Sequence, residues 1–297
     1  MRVLLSGSTG FIGSEVVWVL KVHGHHVTRL VRSPAPFPEP TIVWNYRNAP
    51  FDPAELGPID AVVHLAGENI SAGRWTAARK ERIRSSRIVS TRLLAEAIAR
   101  AAQPPQVFVV ASAIGYYGDR GDELLTEDSP PGTDFLAGVV QDWEAAARPA
   151  VDAGIRVVHT RFGVVLSTRG GALAKMLPLF RAGVGGRLGS GQQYMSWVAL
   201  EDAAGAVAHA LQTDALRGPV NVVAPNPVTN HEFTKALGAA LGRPTFVVVP
   251  PFALRLVYGE MADATLLAST RASAEKLVAS GFSFRHPTLE TVLKVPG

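Results

Sequence analysis

The chain has 297 residues, of which 47% are hydrophobic and 18% charged, so it can bury a large core and is neither disordered nor fibrous in composition. It contains no cysteine, which excludes disulfides, cysteine-ligated zinc and a cysteine nucleophile. The net charge is +4, and no stretch approaches the roughly 18 apolar residues that span a bilayer, so we expect a soluble cytoplasmic protein without a membrane partner.

Strand and helix patterns alternate along the first half of the chain. Strands are predicted over 3–6, 26–31, 41–44, 61–65 and 107–111, and helices over 10–22 and from about 76 to 102. A proline-rich surface loop is predicted over 33–40. This alternation is typical of βαβ units that form a parallel sheet.

The pattern continues into the second half with a change of character. Further predictions are a helix over 135–153, a strand over 156–160, a glycine-rich loop over 181–191, a helix over 202–211, a strand over 220–223 and a helix over 230–241. We expect Asn230 to cap the last of these helices, with Glu232 in its first turn.

The strongest chemical signal is a glycine-rich turn directly after the first strand. Its glycines, Gly7, Gly10 and Gly13, follow a G-x-x-G-x-x-G spacing and open a helix. Such glycines allow a sharp turn, close approach of a pyrophosphate and tight helix–strand packing, while the helix N-terminus attracts the anion. We therefore expect cofactor contacts along the whole run of Gly7, Ser8, Thr9, Gly10, Phe11, Ile12 and Gly13.

The end of the second predicted strand indicates which dinucleotide binds. NAD sites place a carboxylate about 20 positions after the glycines, where it binds the ribose hydroxyls. Here Arg32 and Ser33 occupy that place, and no carboxylate follows until Glu39. Because a guanidinium can hold a 2′-phosphate, the sequence favours NADP(H) over NAD.

These patterns predict an α/β fold with a Rossmann-type doubly wound parallel sheet. Residues 1–165 would form the NADP-binding domain, and residues 166–297 a smaller α/β lobe on the substrate side, with the two lobes interleaved.

Basic residues cluster between Arg74 and Arg100, where only Glu81 and Glu96 oppose them. The cluster can be a nucleic-acid patch, a solvated helix face or a set of arginines of which some contact the cofactor. Nucleic-acid motifs and an aromatic stacking platform are missing, so we expect no nucleic-acid partner.

Several motifs together resemble the extended and atypical short-chain dehydrogenase/reductases. They are the glycine turn, His64-Leu65-Ala66-Gly67, Glu68-Asn69-Ile70, the 142–147 run DWEAAA, 162–166, 189–197, 230–233 and 250–259. The combination is similar to the "epimerase family protein" branch, which carries a C-terminal domain of unknown function.

The resemblance implies further cofactor contacts. Leu65, Ala66 and Gly67 would line the cleft, and Val165 would lie near the nicotinamide. Family members carry an N-x-x-G-T pattern beside the active site, and this chain has Arg87 at the Asn position. Arg87, and with it Arg82, would then contact the cofactor.

The superfamily's usual Ser, Tyr and Lys are not found at their expected positions. None of the five tyrosines is followed by Lys four residues later. Alignment on the Trp-Glu motif puts Phe135 and Val139 at the Tyr and Lys positions, or Leu136 and Val140 after a shift of one, and the serine position falls on Ala113.

Two hypotheses remain for the function. The chain is an NADP(H)-dependent oxidoreductase or epimerase-like isomerase of an unidentified small molecule, or it is a non-catalytic NADP(H) sensor. As catalytic residues we select Ser112 and Tyr116, with Tyr117, Glu68 and Asn69 as further candidates. Alternatively the tyrosines pack over the nicotinamide ribose and Glu68 caps the next helix. We expect no metal site and either a monomer or a homodimer.

Overall fold

The computed structural model describes residues 1–293 as an α/β protein. Its strands are β1 (Arg2–Ser6), β2 (His26–Val31), β3 (Thr41–Val43), β4 (Ala61–His64), β5 (Val107–Ala113), β6 (Leu124–Leu125), β7 (Arg156–Phe162), β8 (Val164–Ser167), β9 (Gly186–Leu188), β10 (Tyr194–Met195), β11 (Trp197–Ala199), β12 (Gly218–Val222), β13 (Val228–Thr229), β14 (Val247–Val249) and β15 (Arg271–Ala272). Its α-helices are α1 (Phe11–Val22), α2 (Ala77–Ala99), α3 (Phe135–Ala145), α4 (Arg148–Asp152), α5 (Gly171–Arg181), α6 (Leu200–Gln212), α7 (Asn230–Leu241), α8 (Pro251–Tyr258), α9 (Glu275–Ala279) and α10 (Leu289–Val292). Short 3-10 helices lie at Pro53–Leu56 and Ile114–Tyr116, and a π-helical turn at Ala262–Leu266.

Seven strands form one parallel sheet in the order β12-β7-β5-β4-β1-β2-β3. The chain moves in opposite directions across the sheet from β1 to β2 and from β4 to β5. Right-handed crossovers therefore place α1 and α2 on opposite faces. Helix α1 packs against α6, and α2 packs against α3 and α4. The predicted Rossmann-type doubly wound sheet is confirmed.

The central strands are apolar because both faces of the sheet are covered. Val3, Leu4 and Leu5 of β1 and Val62 and Val63 of β4 are fully buried. Near-continuous apolar runs of this kind are typical of buried parallel strands. Their carboxyl ends meet at one edge, between the points where the chain leaves β1 and β4, and this edge positions the candidate site.

The second half of the chain adds four two-stranded ladders. They pair β8 with β11, β9 with β14, β10 with β13, and β6 with β15. A separate apolar cluster, which includes Trp197, Phe233 and Leu237, lies in this part. Strand β12 belongs to the main sheet and α6 packs on α1, so residues 200–222 lie with the first half. The domain boundary at residue 165 stays a prediction.

Three local predictions were wrong. The helix expected over 135–153 is divided into α3 and α4, because Pro149 has no N–H for a bond to the carbonyl four residues earlier. The loop expected over 181–191 contains β9, which pairs with β14. Thr229, not Asn230, caps α7 through a capping box with Glu232.

Among residues 1–293, none of the helices combines the length and the apolar character that crossing a bilayer requires.

Candidate functional site

The glycine turn joins β1 to α1 so tightly that side chains have no space there. Gly7 has a φ of +71°, and a Cβ atom on it would lie 2.6 Å from the carbonyl carbon of Leu65. A Cβ on Gly13 would lie 2.1 Å from the carbonyl oxygen of Gly7. Backbone therefore packs directly on backbone where β1, α1 and the segment after β4 meet.

The N-terminus of α1 is open to an anion. Gly10 is its N-cap in an extended conformation, no side chain caps the helix, and its first turn carries no acidic residue. Nearby, the buried Oγ of Ser8 has no hydrogen-bond partner within residues 1–293. Unpaired N–H groups together with the helix dipole make such an end attractive to a phosphate.

Arginine, not a free carboxylate, lies at the end of β2. Arg32 and Ser33 are exposed, and Arg32 forms no ion pair among the described residues. Glu39 is paired with Lys21 at 2.6 Å and with Arg29 at 2.8 Å. Lys21, with Arg29, holds the pKa of Glu39 below its ordinary value. Its charge is thus neutralised within the protein.

Arg29 is a residue that the sequence analysis missed. Its Nη1 donates to the carbonyl of Ser8 at 3.2 Å, and its guanidinium lies 4.7 Å from the ring centroid of Phe37. Together with the ion pair to Glu39, these contacts tie the proline-rich loop to the glycine turn. The loop is therefore held beside the place where Arg32 is exposed.

Below the segment after β4 lies Arg87 of α2. A Cβ on Gly67 would lie 3.3 Å from its guanidinium carbon, and its Nη atoms donate at 3.0 Å to the carbonyls of Ile83 and Glu68. Burial lowers the pKa of Arg87 to about 10, so it stays charged at neutral pH. The cation therefore lies directly beneath the expected cofactor segment, held by carbonyls.

The other basic residues of α2 differ in their surroundings. Arg82 is exposed and without an ion pair among the described residues. Arg79 is buried and pairs with Glu68 at 3.7 Å. Thr76 caps α2, so the interpretation of Glu68 as its cap was wrong. A uniformly solvated helix face does not describe α2.

A buried histidine connects β1 to α2 below the turn. His64 ends β4, and its Nδ1 lies 2.5 Å from the Oγ of Ser6, directly before Gly7. Its Nε2 lies 3.0 Å from the Oγ of Ser90. Burial lowers the pKa of His64 to about 4, so the ring is neutral at physiological pH.

Ser112 and Tyr116 lie near a buried ion pair at the ends of β5 and β7. The hydroxyl of Ser112 donates to Glu144 at 2.6 Å, and Arg161 donates to both carboxylate oxygens at 2.8 Å. Burial opposes ionisation, but Arg161 holds the pKa of Glu144 below its ordinary value. The Tyr116 ring stacks on this guanidinium, 3.5 Å from its centroid.

Tyr117 lies deeper in the same network. It is fully buried, accepts from Arg161 at 3.0 Å and donates to Asn221 at 2.7 Å. Its position in the core excludes the interpretation that it packs over a nicotinamide ribose.

The positions aligned with the usual Tyr and Lys carry apolar side chains, and the ammonium group of Lys80 lies over the Phe135 ring, 4.8 Å from its centroid. Phe135 packs edge-on against Trp75, with ring centroids 5.3 Å apart, and Val139 is buried beside them. Asn69 accepts from the backbone N–H of Ser71 at 2.9 Å. Asn69 is thus engaged in its own local turn.

A cleft of about 410 Å³ opens beside the first turn of α1. It is lined by Thr9, Gly10, Phe11, Ser14, Arg169, Gly170, Gly171 and Leu200. Arg169, a second cation that the sequence analysis missed, pairs with Glu15 at 2.8 Å and Glu201 at 3.2 Å. Val165 lies in β8 nearby and pairs with Val198.

Metal ligation was tested by searching for clusters of His, Asp and Glu. Within residues 1–293, no group of three or more such side chains could hold a metal ion.

Known protein families and relatives match this chain along nearly its whole length. Residues 3–223 match the NAD dependent epimerase/dehydratase family, and residues 249–295 match a domain of unknown function, DUF1731. "Epimerase family protein MT2273" of Mycobacterium tuberculosis is 46% identical over 291 residues, which cover 98% of this chain and 96% of the relative. The Homo sapiens "Epimerase family protein SDR39U1" is 40% identical over 297 residues, with 99% of each covered.

A crystal structure of the human epimerase family protein SDR39U1 (isoform2) with NADPH has a TM-score of 0.91 and 39% identity, covering 99% of this chain and 98% of that one. A structure of MoeE5 with UDP-glucuronic acid and NAD has a TM-score of 0.76 at 22% identity, with 99% and 96% covered, and shares the fold. The resemblance found in the motifs is confirmed: the chain belongs to the NAD dependent epimerase/dehydratase family.

Proposed function

We propose that the chain binds NADP(H) at the carboxyl edge of β1 and β4. The observation that carries the proposal is the open N-terminus of α1 with the unpartnered Oγ of Ser8 beside it. The human relative also supports the proposal. It is 39% identical over nearly the whole chain, and its crystal structure was determined with NADPH. The run from Gly7 to Gly13 would hold the pyrophosphate.

Arg32 and Ser33 would bind the 2′-phosphate of the adenosine. Arg32 is exposed and carries a charge that no ion pair among the described residues neutralises, while the carboxylate of Glu39 is paired with two cations. A 2′-phosphate would meet attraction here, and NAD would meet no carboxylate to bind its ribose hydroxyls.

The segment Leu65-Ala66-Gly67 would line the middle of the cofactor, with Arg87 beneath it. Arg82 and Val165 remain candidates for contact with its ends. Arg169 lines the cleft beside the first turn of α1 and would reach the phosphates by leaving its two carboxylate partners. The bound nicotinamide supplies hydride transfer, and the protein's groups orient it against a substrate.

For the reaction, we propose oxidoreductase or epimerase-like chemistry on a small molecule without the usual Ser, Tyr and Lys. Ser112 and Tyr116 are the proposed proton-handling groups. The Ser112 hydroxyl could pass a proton to Glu144, which it contacts at 2.6 Å, and the Tyr116 ring is held in place by the guanidinium of Arg161 against its face.

A second candidate function is NADP(H) sensing without chemistry. The observation that favours it is that Ser112 is 3% exposed and its hydroxyl is already donated within the protein. The lack of cysteine agrees with a reducing compartment, and we propose the cytoplasm as the location.

Titration of the protein with NADPH and NADH, followed by cofactor fluorescence, tests the cofactor assignment. Arg32→Asp should weaken NADPH binding by about 10–100-fold, since a charge-assisted hydrogen bond contributes roughly 1.5–3 kcal/mol, and should leave NADH binding nearly unchanged. Arg92→Asp changes the charge equally at an exposed position of α2 and serves as the control. Equal losses for both nucleotides in Arg32→Asp would exclude the 2′-phosphate contact.

A screen of carbonyl compounds at saturating NADPH separates the two candidate functions. Oxidation of NADPH with any member of the panel, lost in Ser112→Ala or Tyr116→Phe, supports catalysis. Tight NADPH binding without turnover across the panel favours the sensor.

A further inference from the structure

Seven large hydrophobic side chains are exposed in a short segment around β14 and α8. They are Phe246, Val247, Val248, Phe252, Leu256, Val257 and Tyr258, here named the C-terminal apolar face. Phe246 is 92% exposed, Leu256 74% and Phe252 70%. With about 150–250 Å² for an aromatic side chain and somewhat less for Val and Leu, such fractions leave roughly 700 Å² of apolar surface in solvent.

Summed over the segment, that area approaches the roughly 800 Å² that a stable interface covers on each partner. The largest single apolar patch of a typical monomeric protein is about 300–600 Å². Leu179 and Val184, 57% and 54% exposed, lie next to each other, because the N–H of Val184 donates to the Leu179 carbonyl. They precede β9, the partner of β14, and extend the apolar area towards the size of an interface.

Strand β14 also has a free edge. In the described part of the chain it pairs only with β9, in a two-stranded ladder. Its three residues are all valine, and Phe246 precedes them. An exposed, apolar edge strand without a charged residue is a template for pairing with another strand.

Charge identifies the kind of partner. Between residues 244 and 259 the only charged residue is Arg255, which pairs with Asp263 at 2.9 Å. A face with one charge, already paired, does not select a charged partner, and a single arginine falls short of the several Lys and Arg that helices bound to lipid surfaces carry. It also meets no repulsion from an identical face, which a charged surface would.

We propose that the C-terminal apolar face binds the same face of a second copy of this chain, in a two-fold symmetric dimer. The β14 strands of the two copies pair antiparallel across the axis, and the α8 helices pack through Phe252 and Leu256. These two residues lie four apart on one side of α8, while Leu254 is buried on the other. Such a self-complementary contact closes after two copies.

Sedimentation equilibrium tests the proposal on the full chain. We expect the wild type to have twice the monomer mass at micromolar concentration. The double variant Phe252→Glu, Leu256→Glu should have the monomer mass and an unchanged far-UV circular dichroism spectrum, because both side chains are exposed and contribute little to the core. Val22→Glu introduces one glutamate at a 62% exposed site on α1, outside the proposed interface, and should remain dimeric.

Cross-linking tests the symmetry, and the absence of cysteine makes it direct. Leu256→Cys should form a disulfide between copies under mild oxidation, since a residue near a two-fold axis lies close to its own counterpart. Val22→Cys, which lies outside the proposed interface, should form no disulfide between copies under the same conditions.

Three results would overturn the dimer. One is a monomeric wild type at every concentration. Another is a double glutamate variant that remains dimeric, which would move the interface elsewhere, such as the charged surface where Arg84 pairs with Asp142. The third is a monomeric wild type that sediments with phosphatidylcholine vesicles while the double variant does not, which would make the face a membrane contact.

Discussion

Two polar regions lie at the carboxyl edge of the same sheet, and they differ in how their groups are satisfied. At the ends of β1 and β2, the Ser8 hydroxyl, the N-terminus of α1 and the Arg32 guanidinium lack partners among the described residues. At the ends of β5 and β7, Ser112 and Glu144 are bound to each other and to Arg161. Both regions contain candidate residues from the sequence, but only the first has polar groups without protein partners among the described residues.

The difference between the two regions separates a structural arginine from one that is available to a ligand. Arg161 is neutralised by a carboxylate with two contacts of 2.8 Å, which is the arrangement of a structural ion pair. Arg87 is held by carbonyl oxygens, and burial lowers its pKa. A partly buried cation with no carboxylate within hydrogen-bond distance gains stability beside a bound anion, so we expect Arg87 to act with the open region.

The largest effect should follow from Glu144→Ala. It leaves Arg161 charged and buried without its partner, which destabilises a protein by about 3–5 kcal/mol. Urea unfolding measures the loss. NADPH affinity of the folded variant should be unchanged, because the ion pair belongs to the satisfied region.

The matched control is Asp152→Ala, which removes an exposed ion pair with Arg148 and should change stability very little. A strong loss of NADPH affinity in Glu144→Ala would break the distinction between the two regions.

Acid should weaken the hydrogen bonds that His64 forms with Ser6 and Ser90 below the glycine turn. Because burial lowers the pKa of His64 from 6.5 to about 4, the unfolded state binds the proton more tightly. The contribution of neutral His64 to the free energy of unfolding is therefore complete above pH 6.5. It decreases by about 3 kcal/mol as the pH falls towards 4. Unfolding free energies between these pH values, compared with those of His64→Gln, measure it.

His64→Gln should be less stable than the wild type at pH 7 but should depend less steeply on pH. The exposed His23→Gln should keep the wild-type slope. If the free energies of unfolding of His64→Gln and the wild type fell equally with pH, the lowered pKa of His64 would be contradicted.

Gly13→Ala should remove most of the cofactor affinity. Its Cβ would lie 2.1 Å from the Gly7 carbonyl oxygen, so the turn must open. We expect NADPH binding to weaken by about 100-fold, since relieving this contact takes a backbone shift of roughly 1 Å, which disturbs several phosphate hydrogen bonds at once. Fluorescence titration measures this.

Gly138→Ala in α3 is the control, because a Cβ there meets nothing within 4 Å. It should leave binding intact and stabilise the helix by about 0.5–1 kcal/mol. Wild-type affinity in Gly13→Ala would mean that the turn does not carry the cofactor.

The smallest effect is expected from Arg87→Met. Removing this cation should weaken NADPH and NADH binding alike, by about tenfold, the lower end for a charge-assisted contact. The free energy of unfolding should not fall, because no carboxylate within hydrogen-bond distance loses its partner. Arg92→Met on the exposed side of α2 is the control. Destabilisation without loss of binding would place Arg87 with the satisfied groups.

The fold was predictable where local pattern and burial coincide. β1 and β2 appear within one residue of their predicted bounds because buried parallel strands are continuous apolar runs. Of the three errors, the one at β9 arose where a distant partner decides the structure. β9 is glycine-rich and becomes a strand only by pairing with Val247–Val249. For α7, the Thr229 to Glu232 spacing of a capping box was a usable signal.

The candidate site was likewise predictable where residues close in sequence define it. The glycine spacing predicted the turn as a pyrophosphate site, and the missing carboxylate after β2 predicted Arg32 as the contact to a 2′-phosphate. Both predictions depend on residues that are close in sequence. The neutralisation of Glu39 could not be predicted, since Lys21 lies on the preceding helix. Arg169 lies more than 150 residues after Glu15, its partner in the cleft. Contacts of this kind depend on the assembled fold.

The pairing of His64 with two serines also fixes which ring nitrogen carries the proton. Ser90 donates its hydroxyl to the Ser86 carbonyl at 2.7 Å, so it can only accept from the ring. The proton therefore sits on Nε2, and Nδ1 accepts from Ser6. The bonds then run in one direction from β1 to α2, and the Nε2 proton, shielded in the core, should exchange slowly enough with water to give a resolved signal in NMR spectra.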